Sequence, residues 1–226
     1  MYFSRVELVR NASVNRLAGL LGGNEYRDHQ ILWKLFPGVE KREFIFRRED
    51  HGGWPLFFIV SAHTPVAGEN DFWTIQTKEY APKVQVGQRL AFSLRVNPVR
   101  SKPVGGERKR GVRHDVVMEA KTKLKEAGTS RDLWKPTPEL VAEEGWKWLS
   151  ARSPKHGFVV AEGEVRADGY RQHWLSKRGH EPIRFSTLDY EGVLTVEDPG
   201  KFLETLYHGL GPAKGFGCGL LMVRRT

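Results

Sequence analysis

The order of short apolar patterns constrains the fold of this chain more than any other feature of its sequence. Residues 2–9 alternate apolar and polar side chains, as a half-buried strand does, and residues 16–36 then repeat apolar side chains at helical spacing. Two strand-like runs, 42–48 and 55–62, enclose a turn-rich segment with two adjacent glycines, which predicts a hairpin. A further extended run covers 89–97. The first part of the chain is therefore predicted to follow the order β-α-β-β-(x)-β.

The second half repeats this theme less regularly. Its predicted elements are helices at 116–127 and 138–150, strands that begin at 157–163 and continue at 170–175 and 183–196, a helix at 199–208 and a final strand at 220–225. A β-α-β-β order is typical of the ferredoxin-like fold within the α+β class. We place the domain boundary near residue 100, which gives a first domain of residues 1–100 and a second of residues 101–226.

The composition is that of a globular chain. Of 226 residues, 39% are hydrophobic and 28% are charged, which excludes wholesale disorder and a fibrous fold. A single cysteine, Cys218, excludes a disulfide framework and a zinc site built from several thiolates. The first residues lack the apolar segment of a signal peptide, and the apolar stretch around residues 56–60 is far shorter than the ~20 residues of a membrane span. We therefore expect a soluble cytoplasmic protein.

Positive charge is concentrated in two segments of a chain whose formal net charge is +9. The segment 100–113 contains glycine and proline and predicts a basic loop, whereas the segment 166–184 places ring-bearing side chains among its cations. Cations bind nucleic acid by neutralising phosphates, and aromatic rings stack on unpaired bases. A solvated surface remains the alternative for each segment. The basic residues are Arg100, Lys102, Arg108, Lys109, Arg110 and Arg113 in the first segment and Arg166, Arg171, Lys177, Arg178 and Arg184 in the second, where Tyr170, His173 and Trp174 carry the rings.

Five glycines lie within residues 209–219, with Lys214 among them. Glycines this dense let backbone amides approach a phosphate, to which Lys214 adds a point charge. No Gly-Lys-Ser/Thr sequence follows, so a Walker-type nucleotide site is not supported. A tight turn between a helix and the terminal strand is the alternative interpretation.

Tyr26 and His29 form the strongest candidate for chemistry. They lie three positions apart after a glycine pair in the first predicted helix, so their side chains share a face. Histidine titrates near neutral pH and exchanges protons with reacting oxygens. For any one of eight histidines, however, a structural or exposed role remains the default alternative.

Acidic residues are scattered, and the sequence contains nothing like the paired carboxylates of a two-metal nuclease. RNA supplies its own nucleophile, the 2′-hydroxyl, so its cleavage requires only alignment, a proton donor for the departing 5′-oxygen and positive charge. A histidine, a tyrosine and a few cations are sufficient for that reaction, and we expect no metal or other cofactor.

Five segments distributed from end to end carry a family resemblance. They are MYFSRVELVR, YRDHQILWKLFPG, FSLRVNPVR with the following Lys109-Arg110 pair, LDYEGVLTV and GLGPAKGFGCGLL. In combination and in this order they resemble the CasE-type CRISPR RNA endoribonucleases of subtype I-E Cascade systems. The resemblance covers nearly the whole chain.

The resemblance implies two tandem ferredoxin-like, RRM-like domains that bind the repeat stem-loop of a CRISPR precursor transcript. It implies metal-independent cleavage at the base of the stem, which leaves 2′,3′-cyclic phosphate and 5′-hydroxyl ends. It further implies that the enzyme stays on its product as a subunit of Cascade, with other Cascade subunits as partners and no membrane.

The family's catalytic histidine corresponds to His29, as general acid or acid/base, and its tyrosine to Tyr26, which orients the 2′-hydroxyl or the scissile phosphate. A basic hairpin of the second domain corresponds to residues 166–178, from which we select Arg171 and Lys177. The predicted RNA-binding residues are Arg100, Arg108, Lys109, Arg110, Arg171, Lys177 and Lys214. Two alternatives remain, since the same fold and charge serve pure binding: a non-catalytic scaffold for the RNA hairpin, and a general double-stranded or ribosomal RNA binder.

Overall fold

The computed structural model describes residues 1–9, 25–68, 72–102, 111–177 and 180–226. Within them, two four-stranded sheets and one two-stranded sheet are accompanied by α-helices, none of which is long and apolar enough to cross a bilayer. The strands are β1 (Tyr2–Leu8), β2 (Phe44–His51), β3 (Trp54–Ser61), β4 (Trp73–Glu79), β5 (Arg89–Val96), β6 (Val99–Lys102), β7 (Val112–Asp115), β8 (Phe158–Lys177), β9 (His180–Val196) and β10 (Leu221–Arg225). The helices are α1 (Glu25–Trp33), α2 (Val116–Glu126), α3 (Thr137–Ser150) and α4 (Pro199–His208).

The first sheet has the order β2-β3-β1-β4, and every neighbouring pair is antiparallel. Helix α1 connects β1 to β2, and its buried Leu32 belongs to a core that includes Phe46 and Phe57. This is the ferredoxin-like strand order predicted for the first unit. The sequence analysis missed β4, because most of its side chains are exposed and only Trp73 and Ile75 give an apolar alternation.

The second sheet has the order β10-β5-β9-β8, again antiparallel throughout. Helices α2 and α3 precede β8, and α4 connects β9 to β10, so the ferredoxin-like order is repeated with β5 as its first strand. Trp148, Leu149 and Phe202 are fully buried in its core. The predicted α+β class with two tandem ferredoxin-like domains is confirmed.

Strand β5 pairs with β9 and β10, which corrects the expectation that the run 89–97 completes the first unit. The side-chain pattern of a strand reports its burial and not which sheet provides its neighbours, so the sequence did not distinguish the two cases. The domain boundary near residue 100 stays a prediction. The membership of β5 in the second sheet favours a division between β4 and β5.

Strand β8 is continuous, although the sequence suggested separate strands at 157–163 and 170–175. Its register against β9 shifts at several places, and Gly163 and Gly169 have φ values of +83° and +65°. Glycine adopts such angles without a steric penalty, and β-bulges let a strand bend without ending it. The interrupted sequence pattern therefore marks irregularities within one long β8–β9 hairpin.

The two sheets are connected by polar contacts between β2 and β5. Arg47 Nη1 donates to Ser93 Oγ at 2.6 Å, and Arg95 Nη1 donates to the carbonyl oxygen of Arg48 at 3.1 Å. The guanidinium of Arg95 also donates to both carboxylate oxygens of Asp189 on β9, at 2.7 and 2.8 Å. Arg95 thus joins both sheets, and this contact sets α1 beside the C-terminal loop of the second unit.

Candidate active site

His29 lies on α1 with its imidazole half-buried among aromatic side chains. Its ring centroid is 5.5 Å from that of Trp33 and 6.2 Å from that of Phe44. The preceding residue, Asp28, is buried, and its carboxylate accepts hydrogen bonds from Arg48 Nη1 at 3.0 and 3.2 Å. Because this ion pair joins α1 to β2, the position of His29 is fixed relative to the first sheet.

The glycine-rich C-terminal loop packs beside His29. Its 3-10 turn, Lys214–Phe216, follows Ala213, whose backbone is left-handed with a φ of 59°. A Cβ atom on Gly215 would lie 2.8 Å from Nη1 of Arg42 and 4.0 Å from Nε2 of His29. The missing side chain therefore allows the guanidinium to approach the loop backbone, beside an imidazole that lies at an ordinary contact distance.

Three basic side chains meet at this loop. Burial lowers the pKa of His29 below 6.5, and the charge of Arg42 lowers it further. Burial and the charge of Arg42 likewise lower the pKa of Lys214, and burial lowers the pKa of Arg42 itself. No carboxylate among the described residues forms an ion pair with Arg42 or Lys214. The cluster is therefore suited to an anionic ligand such as a phosphate.

The shifted pKa of His29 determines its state in the ligand-free protein. With a pKa below 6.5, the imidazole is mainly uncharged at neutral pH and able to accept a proton. Arg42 remains protonated, because the ordinary pKa of arginine lies far above neutrality. The site thus combines a neutral proton acceptor with fixed positive charge, which is the combination that transfer of a phosphoryl group between oxygens requires.

A cleft of about 240 Å³ adjoins the same loop, between the first sheet and the β8–β9 hairpin. Asp28 and Arg48 line it from the first unit, Arg171 and His173 from β8, and Phe216 from the loop. The side chain of Arg171 is exposed. The walls of the cleft are therefore polar, carry both arginines and carboxylates, and are contributed by both ferredoxin-like units.

A stack of three rings connects the hairpin to the loop beside His29. The ring centroids of His173 and Phe185 are 4.7 Å apart, and those of Phe185 and Phe216 are 4.9 Å apart. His173 also lies within hydrogen-bond distance of Thr187, at 2.9 Å. Since Phe216 follows Gly215 directly, this stack sets the distance between the β8–β9 hairpin and the imidazole.

The structure brings together some of the predicted site residues. His29 and Lys214 lie at the same loop, and Arg171 lines the adjacent cleft. Arg100 lies elsewhere, on β6, where its charge lowers the pKa of Arg152. Tyr26 lies one turn before His29 on α1, but its side chain is outside the described part of the structure, as is that of Lys177. The predicted residues Arg108, Lys109 and Arg110 also lie outside the described residues.

The sequence analysis missed Arg42, Arg48 and Phe216. Arg42 begins a strand-like run whose alternation indicates only secondary structure, and its approach to Gly215 joins segments that are distant in the sequence. The dense glycines were the one available signal, because glycine often marks a close approach of another group to the backbone. Within the described ranges, no group of three or more His, Cys, Asp or Glu side chains is placed to hold a metal ion.

Comparison with known proteins agrees with this arrangement. A family model described as "CRISPR associated protein" matches residues 1–225. The chain belongs to this family. It is similar to the CRISPR system Cascade subunit CasE of Escherichia coli (strain K12), with 30% identity over 226 residues that cover 98% of each chain. It is also similar to the CRISPR-associated endoribonuclease Cse3 of Thermus thermophilus, with 28% identity over 205 residues that cover 86% of this chain and 79% of the relative.

A solved structure of Thermus thermophilus Cse3, bound to an RNA that represents a pre-cleavage complex, has a similar fold. The TM-score is 0.69 at 26% identity, and the match covers 99% of this chain and 98% of that one. The family resemblance inferred from the five sequence segments is therefore confirmed.

Proposed function

We propose that this protein is an endoribonuclease that binds the repeat stem-loop of a CRISPR precursor transcript and cleaves it to mature CRISPR RNA. The names of its relatives support this activity: one is a CRISPR-associated endoribonuclease, and another is a Cascade subunit. The observation that carries the proposal is the approach of His29 and Arg42 to Gly215, next to Lys214, whose pKa the charge of Arg42 lowers. We further propose that the protein works in the cytoplasm and remains on its product with other Cascade subunits.

The proposed reaction is an internal transesterification. His29 accepts the proton of the 2′-hydroxyl, the 2′-oxygen forms a bond to phosphorus, and the bond from phosphorus to the 5′-oxygen breaks. The imidazolium then gives its proton to the departing 5′-oxygen. The products are a 2′,3′-cyclic phosphate and a 5′-hydroxyl, and neither water nor a metal ion is consumed.

The remaining groups bind and orient in this scheme. Arg42 and Lys214 hold the scissile phosphate and stabilise the negative charge that develops on it in the transition state. Tyr26, one helical turn from His29, orients the 2′-hydroxyl. Arg171, in the adjacent cleft, binds the RNA backbone where the stem meets the hairpin. This arrangement assigns proton transfer to the first unit and part of the phosphate binding to the second.

The decisive experiment is single-turnover cleavage of a panel of CRISPR repeat stem-loop RNAs in the presence of EDTA. We expect efficient cutting of a matched repeat, cyclic phosphate ends, and complete loss of cutting when the nucleotide 5′ to the cut carries a 2′-deoxy sugar. Loss of activity in EDTA would contradict the metal-free reaction. Binding of the stem-loops without any cutting would instead support the scaffold alternative, and equal binding of unrelated stem-loops would support a general RNA binder.

A further inference from the structure

A second pocket, of about 420 Å³, lies beside the β8–β9 hairpin, and His173 lines both this pocket and the cleft. Side chains alternate between the two faces of a strand. Arg171 lines the cleft and not the second pocket, whereas Trp174 and its cross-strand neighbour Arg184 line the second pocket and not the cleft. Arg171 and the Trp174–Arg184 pair therefore belong to different pockets.

The pocket is lined on one side by Trp174, a large apolar residue that is unusually accessible to solvent, with 59% of its surface exposed. Arg184 and Arg113, both exposed, also line the pocket, and neither forms an ion pair with a carboxylate of the described residues. An exposed aromatic face between guanidinium groups is the combination that recognises a base together with its phosphate. A volume of about 420 Å³ accommodates one nucleobase.

Two polar side chains that line the pocket, Asp115 and Asn97, differ in whether the structure gives their oxygens hydrogen-bond partners. Asp115 accepts hydrogen bonds from the backbone nitrogen of Met118, at 2.8 Å, and from the hydroxyl of Ser186, so its charge is occupied within the fold. Asn97 is only 7% exposed, and its Oδ1 has no hydrogen-bond partner among the described residues. An unpaired buried acceptor is costly, so its presence at a pocket wall indicates a missing donor, such as the exocyclic amino group of a base.

We infer that this pocket binds one unpaired nucleobase of the RNA, stacked on Trp174, with the adjoining phosphate held by Arg113 and Arg184. The inference rests on the proposed function, since it assumes an RNA ligand. It assigns recognition of a single-stranded nucleotide outside the scissile site to the face of the hairpin that carries Trp174. Strands β6 and β7, which carry Val99 and Arg113 into the pocket, are joined by the basic segment of residues 103–110.

The test compares two RNAs on the full-length protein. Both contain the same CRISPR repeat stem-loop, blocked at the cut by a 2′-deoxy sugar. One carries short single-stranded adenylate tails, and the other carries tails of equal length made of abasic ribose phosphates. The wild-type protein is expected to bind the adenylate RNA about tenfold more tightly than the abasic RNA, because one stacked base contributes about that factor.

The variant Trp174→Ala is expected to lose this tenfold preference while its affinity for the abasic RNA is unchanged, and Trp174→Phe is expected to keep part of it. Leu133→Ala removes another exposed apolar side chain, one that does not line the pocket, and serves as the matched control with full preference. Arg184→Gln is expected to reduce the slope of log Kd against log salt by about one.

Equal preference in the wild type and Trp174→Ala would overturn the inference, and the exposed indole would then be assigned to contact with another protein subunit. Cleavage of the unblocked stem-loop is measured separately for each variant. If the wild-type protein does not cut it, the proposed function fails, whereas a lost tail preference with normal cutting concerns this pocket alone.

Discussion

The two ferredoxin-like units share one strand order but differ in what the chain adds to each. In the first unit, α1 follows β1, and the described residues between β3 and β4 contain no helix. The second unit has helices at both crossovers, a separate β6–β7 pair and the long β8–β9 hairpin. The first unit is thus the smaller one and carries the imidazole of His29. The second unit adds two further surfaces, the β6–β7 pair and the β8–β9 hairpin.

This difference explains how a repeated fold produces a single candidate active site. The imidazole of His29 belongs to the first unit, but the loop that contacts it lies between α4 and β10 of the second. Burial lowers the pKa of His29, and Arg42, which belongs to the same unit as His29, lowers it further. We therefore expect substitutions in the first unit and in the loop of the second unit to affect cleavage and stability to different extents. The following experiments distinguish these effects.

The largest effect is expected from removing the proton-transfer group of the first unit. His29→Ala should reduce the single-turnover cleavage rate by about a thousandfold, within the usual range for loss of a general acid or base. Affinity for the stem-loop should change little, because phosphate contacts dominate it. His63→Ala, at an exposed histidine paired with Glu43, is the matched control. Equal rates for wild type and His29→Ala would move the catalytic assignment to another residue.

Loss of the cation that contacts the loop should produce the next largest effect. Arg42→Gln is expected to slow cleavage about a hundredfold, because one positive charge no longer stabilises the transition state. It should also raise the pKa of His29, since Arg42 lowers that pKa in the folded protein. The acidic limb of kcat/KM should then move to higher pH. An NMR titration of His29 in the RNA-free protein checks this independently, and an unchanged pKa would contradict the proximity of the two groups.

The sequence was sufficient for some of these assignments and insufficient for others. His29 was predicted because the family motif and the chemistry of imidazole indicate the same residue. Arg42 was not predicted, because its importance arises from a contact with Gly215 that only the packing of the two units creates. For the same reason β5 was placed in the wrong sheet: alternation reports burial, whereas pairing partners are determined by the tertiary fold.

The glycine-rich loop is a second case in which the sequence indicates a contact but does not identify the contacting group. Its composition indicated a close approach, which the structure confirms at Gly215, but not which group approaches. Phosphate binding at this loop stays a prediction, and the structure places a guanidinium and an imidazole beside it. The sequence pattern predicts that another group approaches the backbone of this loop closely. Only the tertiary structure shows which group that is.

The connection between the two units predicts an effect on stability. Arg95 donates to Asp189 and to the carbonyl oxygen of Arg48, so Arg95→Gln should lower the free energy of unfolding by about 2 kcal/mol, as expected for lost charge-assisted hydrogen bonds. Arg89→Gln, on the same strand, breaks the exposed pair with Glu164 and should cost less than about 1 kcal/mol. Urea denaturation measures both. Equal losses would show that Arg95 does not connect the units energetically.

The smallest expected effect comes from adding one methyl group where the units meet. In Gly215→Ala, the new Cβ would lie 2.8 Å from Nη1 of Arg42, so the guanidinium must move, while the imidazole, at 4.0 Å, has room to stay. Cleavage should slow about tenfold with a nearly normal unfolding free energy, because the end of a flexible side chain moves at little cost whereas catalysis depends on its position. Gly200→Ala meets only Asp198 Oδ1, at 3.4 Å, and is the control. A wild-type cleavage rate in Gly215→Ala would mean that the position of Arg42 is irrelevant to the reaction. A defect of the same size in Gly215→Ala and Gly200→Ala would mean that the added methyl group acts through general stability and not through Arg42.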